Sequence, residues 1–215
     1  MSDPRWERLG AATGIVFVFL SLLALIVGAG PGADEDIVPY FVDNRQRELA
    51  QTFLAGLASI FFLWFLGSIR SYLRAAEGGT GRLSAVAFAG GIVTIVILLF
   101  SLTVNTALAD GMAQNADPGT SRAFYALVIQ ASDLTFFPVV AFTGASALVI
   151  LRTKALPAWL GWLGIVVAVL SLSRGTAFFV ESGPFSSAGM LENVGIMAFM
   201  LWLLLMSILL VRRVG

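Results

Sequence analysis

Six apolar stretches, each as long as a helix that crosses a bilayer, constrain this chain more than anything else in it. They are Leu9–Ala29, Leu49–Ile69, Leu83–Ala109, Ala123–Leu151, Ala158–Val180 and Met190–Val211. Hydrocarbon about 30 Å thick takes roughly 20 residues of α-helix. No water is available there, so every backbone N–H and C=O must be satisfied within the protein, and only helices and closed barrels span. Runs this long, without strict alternation, are helical. The chain is 58% hydrophobic and 12% charged over 215 residues. A soluble domain is nearer 45–50% apolar with about 25% charged residues, and one of this size cannot bury the excess. The expected fold is all-α: an integral membrane bundle of six transmembrane helices forming one domain over residues 1–215. The third and fourth stretches exceed the bilayer and should tilt or protrude. Pro138 removes a backbone donor inside the fourth and should kink it.

An even number of spans puts both termini on one side, and charge says which. The N-terminus, the 70–82 and 152–157 loops and the C-terminus hold Arg5, Arg8, Arg70, Arg74, Arg82, Arg152, Lys154, Arg212 and Arg213. The opposite segments hold only Arg45, Arg47 and Arg122, with most of the acids: Asp34, Glu35, Asp36, Asp43, Glu48, Asp110, Asp117 and Glu181. Short loops rich in Arg stay cytoplasmic, so both termini are expected inside. Trp6, Tyr72, Trp159 and Trp162 then fall at the inner interface and Tyr40 and Tyr125 at the outer one, as an aromatic belt. The basic start, apolar run and Gly-Ala-Gly-Pro-Gly-Ala of the first span imitate a signal peptide. Its apolar run is too long for one, so an uncleaved helix is expected.

Residue types that are missing exclude much chemistry. The chain has no Cys and no His, which removes disulfides, Cys/His metal and haem sites, and imidazole-based catalysis. Lys154, the only lysine, lies in a loop. Thirteen basic and thirteen acidic residues cancel, so nothing indicates nucleic acid. No cofactor, metal ligand set or catalytic residue is assigned.

Ionisable groups inside apolar spans are the feature that reaches toward function. Asp133, Arg174 and Glu192 lie there, with Gln130, Asn105 and Asn193 nearby. A mid-bilayer charge costs about 2.5–3.5 kcal/mol even on a lenient insertion scale, so such residues face protein or water and have partners. Asp133 is eleven residues past Arg122, roughly 16 Å from the outer boundary; Arg174 and Asn105 lie roughly 10 Å and 7–8 Å down. Helical spacing puts Ala126, Gln130, Asp133 and Phe137 on one face. The expectation is an outer-half polar cluster centred on Arg174, with Asp133 and Glu192 as alternative carboxylate partners. An Arg fork suits a carboxylate or phosphate in a buried setting.

Two further segments carry expectations. Gly10, Gly14, Ser21 and Gly28 form a small-residue seam on the first span, for packing within the bundle or against a second copy. Ile37, Val38, Tyr40, Phe41 and Val42 make the 31–48 loop too apolar to be free, so it should lie on the membrane surface or fold over the outer mouth of the bundle.

Three stretches carry a likeness: the basic start before Gly10-Ala-Ala-Thr-Gly14, Phe62-Leu-Trp-Phe-Leu-Gly-Ser-Ile-Arg70 before a Gly-rich basic turn, and Leu156-Pro-Ala-Trp-Leu-Gly-Trp-Leu-Gly164. In these the chain resembles six-helix bacterial integral membrane proteins of the uncharacterised, domain-of-unknown-function type. Its Ala/Gly/Leu/Val-rich, Arg-over-Lys usage also points to a bacterial protein. The resemblance implies a six-helix protein of the bacterial cytoplasmic membrane and carries over no site residue or activity. Three functions stay open. One is binding or transport of a small anionic molecule or lipid at the polar cluster. A second is a structural or accessory role beside a membrane-protein partner. The third is an intramembrane enzyme working through carboxylates.

Overall fold

The computed structural model describes residues 4–28, 30–31, 36–174 and 190–213, the side chains of Pro4 and 190–193 excepted, and all regular structure among these residues is helical. Helix α1 spans Pro4–Val27 and a short α2 spans Ile37–Asp43. Helix α3, Arg45–Glu77, has 33 residues, about 50 Å of helix. It outruns the apolar stretch at both ends because the flanking Arg, Gln and Glu residues are themselves good helix formers. Gly78, at φ +66°, ends it.

The turn that follows is closed from both sides. The Glu77 carboxylate accepts from the backbone N–H groups of Leu83 and Ser84, 2.8 Å each. It thereby caps α4, Arg82–Ala107, whose first donors have no partner inside the helix. The helical path that continues α4 through Leu108–Met112 is kinked at Asp110 and Gly111, where Gly111 takes φ +117°, and it ends in α5, Ala113–Asn115.

Helix α6, Pro118–Leu134, begins with Pro118 in its first turn, and Asp117 accepts from the N–H groups of Gly119 and Thr120. That is a favoured helix start. Helix α7 runs Phe136–Thr153, α8 Ala158–Ser173 and α9 Met190–Arg213. Helices α6 and α7 are divided at Thr135, three residues before Pro138, where the backbone keeps helical angles (φ −61°, ψ −23°). Proline has no N–H for the carbonyl four residues back, Leu134, and its ring crowds that carbonyl.

Among the described residues, five helices are long and apolar enough to cross a membrane, with α6 and α7 counted as one crossing. Helix α8 is apolar but covers 16 residues, and the remainder of the fifth apolar stretch, 175–180, lies outside the described residues. The chain is thus a multi-pass membrane protein.

Packing follows a ring. Helix α1 packs on α3, α3 on α4, α4 on α7, α7 on α8, α8 on α9, and α9 returns to α1. Helix α6 lies against α4, and α2 against the α4–α6 corner. Phe142 of α7 is fully buried, edge-on to Phe62 at 5.9 Å and to Trp202 at 5.6 Å, and Phe62 stacks on Phe17 at 4.5 Å. Trp202 Nε1 donates to the Leu160 carbonyl at 3.1 Å, so its one polar atom is satisfied inside the core.

Small residues set the closest approaches. A Cβ on Gly90 would lie 2.7 Å from the Phe142 amide nitrogen and the Pro138 carbonyl oxygen, so α4 and α7 meet backbone to backbone. Cβ atoms on Gly10, Gly14 and Gly28 would strike Ser68, Phe65 and Gln51 of α3. These three seam glycines are therefore used inside the bundle. Phe19, Phe53, Trp64, Val96, Trp162 and Val169 point outward, as suits a surface solvated by lipid.

Helix α2 corrects one reading of the outer loop. Tyr40 is not an interfacial belt residue. Tyr40 and Phe41 are buried against Leu108, Ala109 and Ala113, with the Tyr125 ring 5.9 Å from that of Phe41. The Tyr40–Phe41 side of the loop thus finds a groove in the protein.

Candidate functional site

Arg174 follows the last turn of α8, where a cation faces the partial negative charge of the final carbonyls. Its side chain is 3% exposed, and Nη2 donates to Asp133 Oδ1 at 3.3 Å. Its Cζ stands 3.4 Å above the centre of the Phe136 ring. A guanidinium over an aromatic face is attracted by the ring quadrupole, most strongly when both are desolvated. Asp133 is the penultimate residue of α6 and Phe136 the first of α7. Only Thr135, at helical φ −61° and ψ −23°, lies between these two segments, which together present a carboxylate and a ring to one cation.

A second polar centre is built around Glu48, near the start of α3. It is 1% exposed. Its Oε1 accepts from the Tyr40 hydroxyl at 2.7 Å and its Oε2 from Asn105 Nδ2 at 2.6 Å. One turn further along α3, Thr52 Oγ1 accepts from the Thr106 hydroxyl at 3.1 Å. Outside this centre, Arg45 pairs with Asp110 at 2.6 Å on the exposed surface.

The predicted cluster is therefore divided. The structure brings Arg174 and Asp133 together. Asn105 belongs to the Glu48 centre, because Asn105 turns toward α3. Gln130 is exposed and takes no part in either centre. It shares a helical face with Asp133 only nominally, since α6 is buried on one side alone, against α4. Glu192 and Asn193 lie in the first turn of α9, and their side chains are outside what the structure describes. Sequence reasoning missed Glu48, Tyr40 and Phe136. The signal for Glu48 was the apolar Tyr40-Phe41 pair eight residues upstream, which α2 folds over it. Phe136 was legible as the residue three positions after Asp133.

Among the described residues, no three carboxylates come together as metal ligands would. What the Arg174 site can do chemically is hold a carboxylate or a phosphate by charge and hydrogen bond. Asp133 is the internal carboxylate that does so here. Comparison of the chain with protein-family models, curated proteins and solved structures found no match.

Proposed function

We propose that this is a six-helix protein of the bacterial cytoplasmic membrane, with both termini inside, that binds or transports a small anionic molecule or an anionic lipid headgroup at Arg174. The observation that carries the reading is the buried guanidinium held between the Asp133 carboxylate and the Phe136 ring, at 3.3 Å and 3.4 Å. A cationic fork matched to an internal carboxylate is matched equally to an external one. Displacement of Asp133 would exchange one anion for another with no net change in buried charge. An intramembrane ionisable pair is by default a functional hypothesis.

Chemical rescue tests it. Asp133→Ala removes the internal carboxylate and leaves the arginine with a vacancy of carboxylate size. The purified variant should lose thermal stability and regain it as acetate, phosphate or phosphatidylglycerol is added, following RT ln(1 + [L]/Kd). Arg174→Gln should show no anion-dependent gain. Equal insensitivity of both variants to every anion would sink the binding role.

A second reading, a structural or accessory subunit for another membrane protein, is favoured by the Glu48 centre. There Tyr40 and Asn105 answer the carboxylate entirely within the chain. On that reading Arg174 and Asp133 fix helix order in the same way. Anions rescue nothing, and a partner co-purifies under mild detergent.

A further inference from the structure

At the end of the bundle that carries most of the arginines, a groove of about 550 Å³ opens between α1 and α3, with Leu210 of α9 contributing to its wall. The volume falls within the ~300–1,000 Å³ of pockets that enclose small molecules. Trp6 and Trp64 flank it, 65% and 60% exposed. Gly67 leaves it open, because a Cβ there would meet nothing within 4 Å. The Ser68 and Ser71 hydroxyls on its α3 wall donate to carbonyls of their own helix, those of Trp64 and Gly67. That wall is therefore effectively apolar.

The residues that line it include no arginine, and the nearby cations stand beyond its rim. Arg8, Arg212 and Arg213 are exposed at the same end of the bundle, and Arg213 lies within electrostatic reach of the Tyr72 hydroxyl on the groove wall. Glu7 is the one acid in the lining. Helices α1 and α3 are both long and apolar enough to cross a membrane, so a groove between their ends, beside exposed arginines, belongs at headgroup level. Tryptophans with an apolar body and a polar N–H prefer that depth.

We infer that this groove holds one anionic phospholipid of the adjoining leaflet. An acyl chain lies along Gly67 and Leu210 between the two tryptophans, and the phosphate is held by Arg212 and Arg213. The arginine fork matches a phosphate, and each basic residue near an anionic headgroup strengthens binding about fivefold. This site is separate from Arg174 and stands whatever that residue does.

The test is native mass spectrometry of the full chain, released from detergent with a graded excess of phosphatidylglycerol or phosphatidylcholine. Wild type should retain one phosphatidylglycerol in clear preference to phosphatidylcholine. Gly67→Leu fills space that no other side chain occupies, so it should keep the wild-type circular dichroism and melting temperature while lowering lipid retention about tenfold or more. The surface variant R212Q/R213Q should keep retention of phosphatidylcholine and lose at least about fivefold of the preference for phosphatidylglycerol. Equal retention of both lipids by wild type overturns the inference. So does unchanged binding in both variants, or a lipid-free dimer whose contact is broken by Gly67→Leu. The last result would make a second copy the occupant.

Discussion

The Asp133–Arg174 pair can be weighed by a double-mutant cycle of Asp133→Asn and Arg174→Met. At 3.3 Å the gross attraction is about 5 kcal/mol with an effective dielectric constant near 20. Desolvation of both groups offsets most of that, so the intact pair adds little net stability. Removing one partner is different, because the other charge is then buried without compensation, which costs about 3–5 kcal/mol. Each single variant should therefore melt about 6–20 °C lower, at ~2–4 °C per kcal/mol for a chain of this size. The double variant, with no stray charge, should recover to within about 2 kcal/mol of wild type. What it does not regain is the cation–π contact with Phe136, worth about 2 kcal/mol when desolvated. The assay is reversible unfolding of the three variants and wild type in bicelles, followed by circular dichroism. A coupling energy of about 4–8 kcal/mol is expected. If the two single losses simply add in the double variant, the pair is not coupled, and the electrostatic argument for the site is refuted.

Three other outcomes follow from the same geometry. Gly90→Ala should destabilise the bundle by about 2–3 kcal/mol, because its Cβ meets backbone atoms of α7 at 2.7 Å and overpacking against backbone cannot be relieved by a rotamer; Gly91→Ala, which meets only the Leu66 side chain, should cost less in the same melting assay. Glu48→Ala leaves the Tyr40 hydroxyl and the Asn105 amide without their acceptor and should cost about 2–4 kcal/mol. It should also make the 31–44 segment more sensitive to limited proteolysis, with Tyr40→Phe showing a smaller effect of the same kind. Pro138→Ala offers the Leu134 carbonyl a donor worth about 1 kcal/mol, less than the coupling at Arg174. It should therefore raise stability by about 1 kcal/mol or less in the same melting assay.

How much of this was legible in the sequence depends on what each feature's signal measures. Apolar length marks where helices lie, because a bilayer admits little else. Scarcity of charge picks out Asp133 and Arg174, because an ionisable residue in hydrocarbon needs a partner. Helical periodicity does less in a membrane than in water. Lipid is as apolar as the bundle interior, so a shared face does not say which way it points, and Gln130 was assigned inward on spacing alone. Glu48 was hidden for a different reason. It stands among Arg45, Arg47 and Asp43 in what reads as a hydrophilic outer loop, and only the return of α2 onto the α4–α6 corner buries it. That burial comes from contacts distant along the chain, such as Asn105 with Glu48, which no local pattern encodes.

The two polar centres bear on one question from opposite sides. Apolar side chains do not discriminate strongly between helix neighbours in lipid, because leaving lipid for another helix removes no water. Polar pairs do discriminate. Arg174 finds Asp133 across 41 residues and Asn105 finds Glu48 across 57, and each pair ties together particular helices. A structural role for both centres therefore follows from their burial alone and says nothing against ligand binding at one of them. What separates the two is access. Glu48 is answered by neutral donors from α2 and α4 and offers no cation to an incoming anion. Arg174 does, held between the Asp133 carboxylate and the Phe136 ring. Loss of stability in Asp133→Ala is expected on either reading. Its recovery with acetate is expected on only one, because a small anion restores the missing charge only if it can reach the guanidinium.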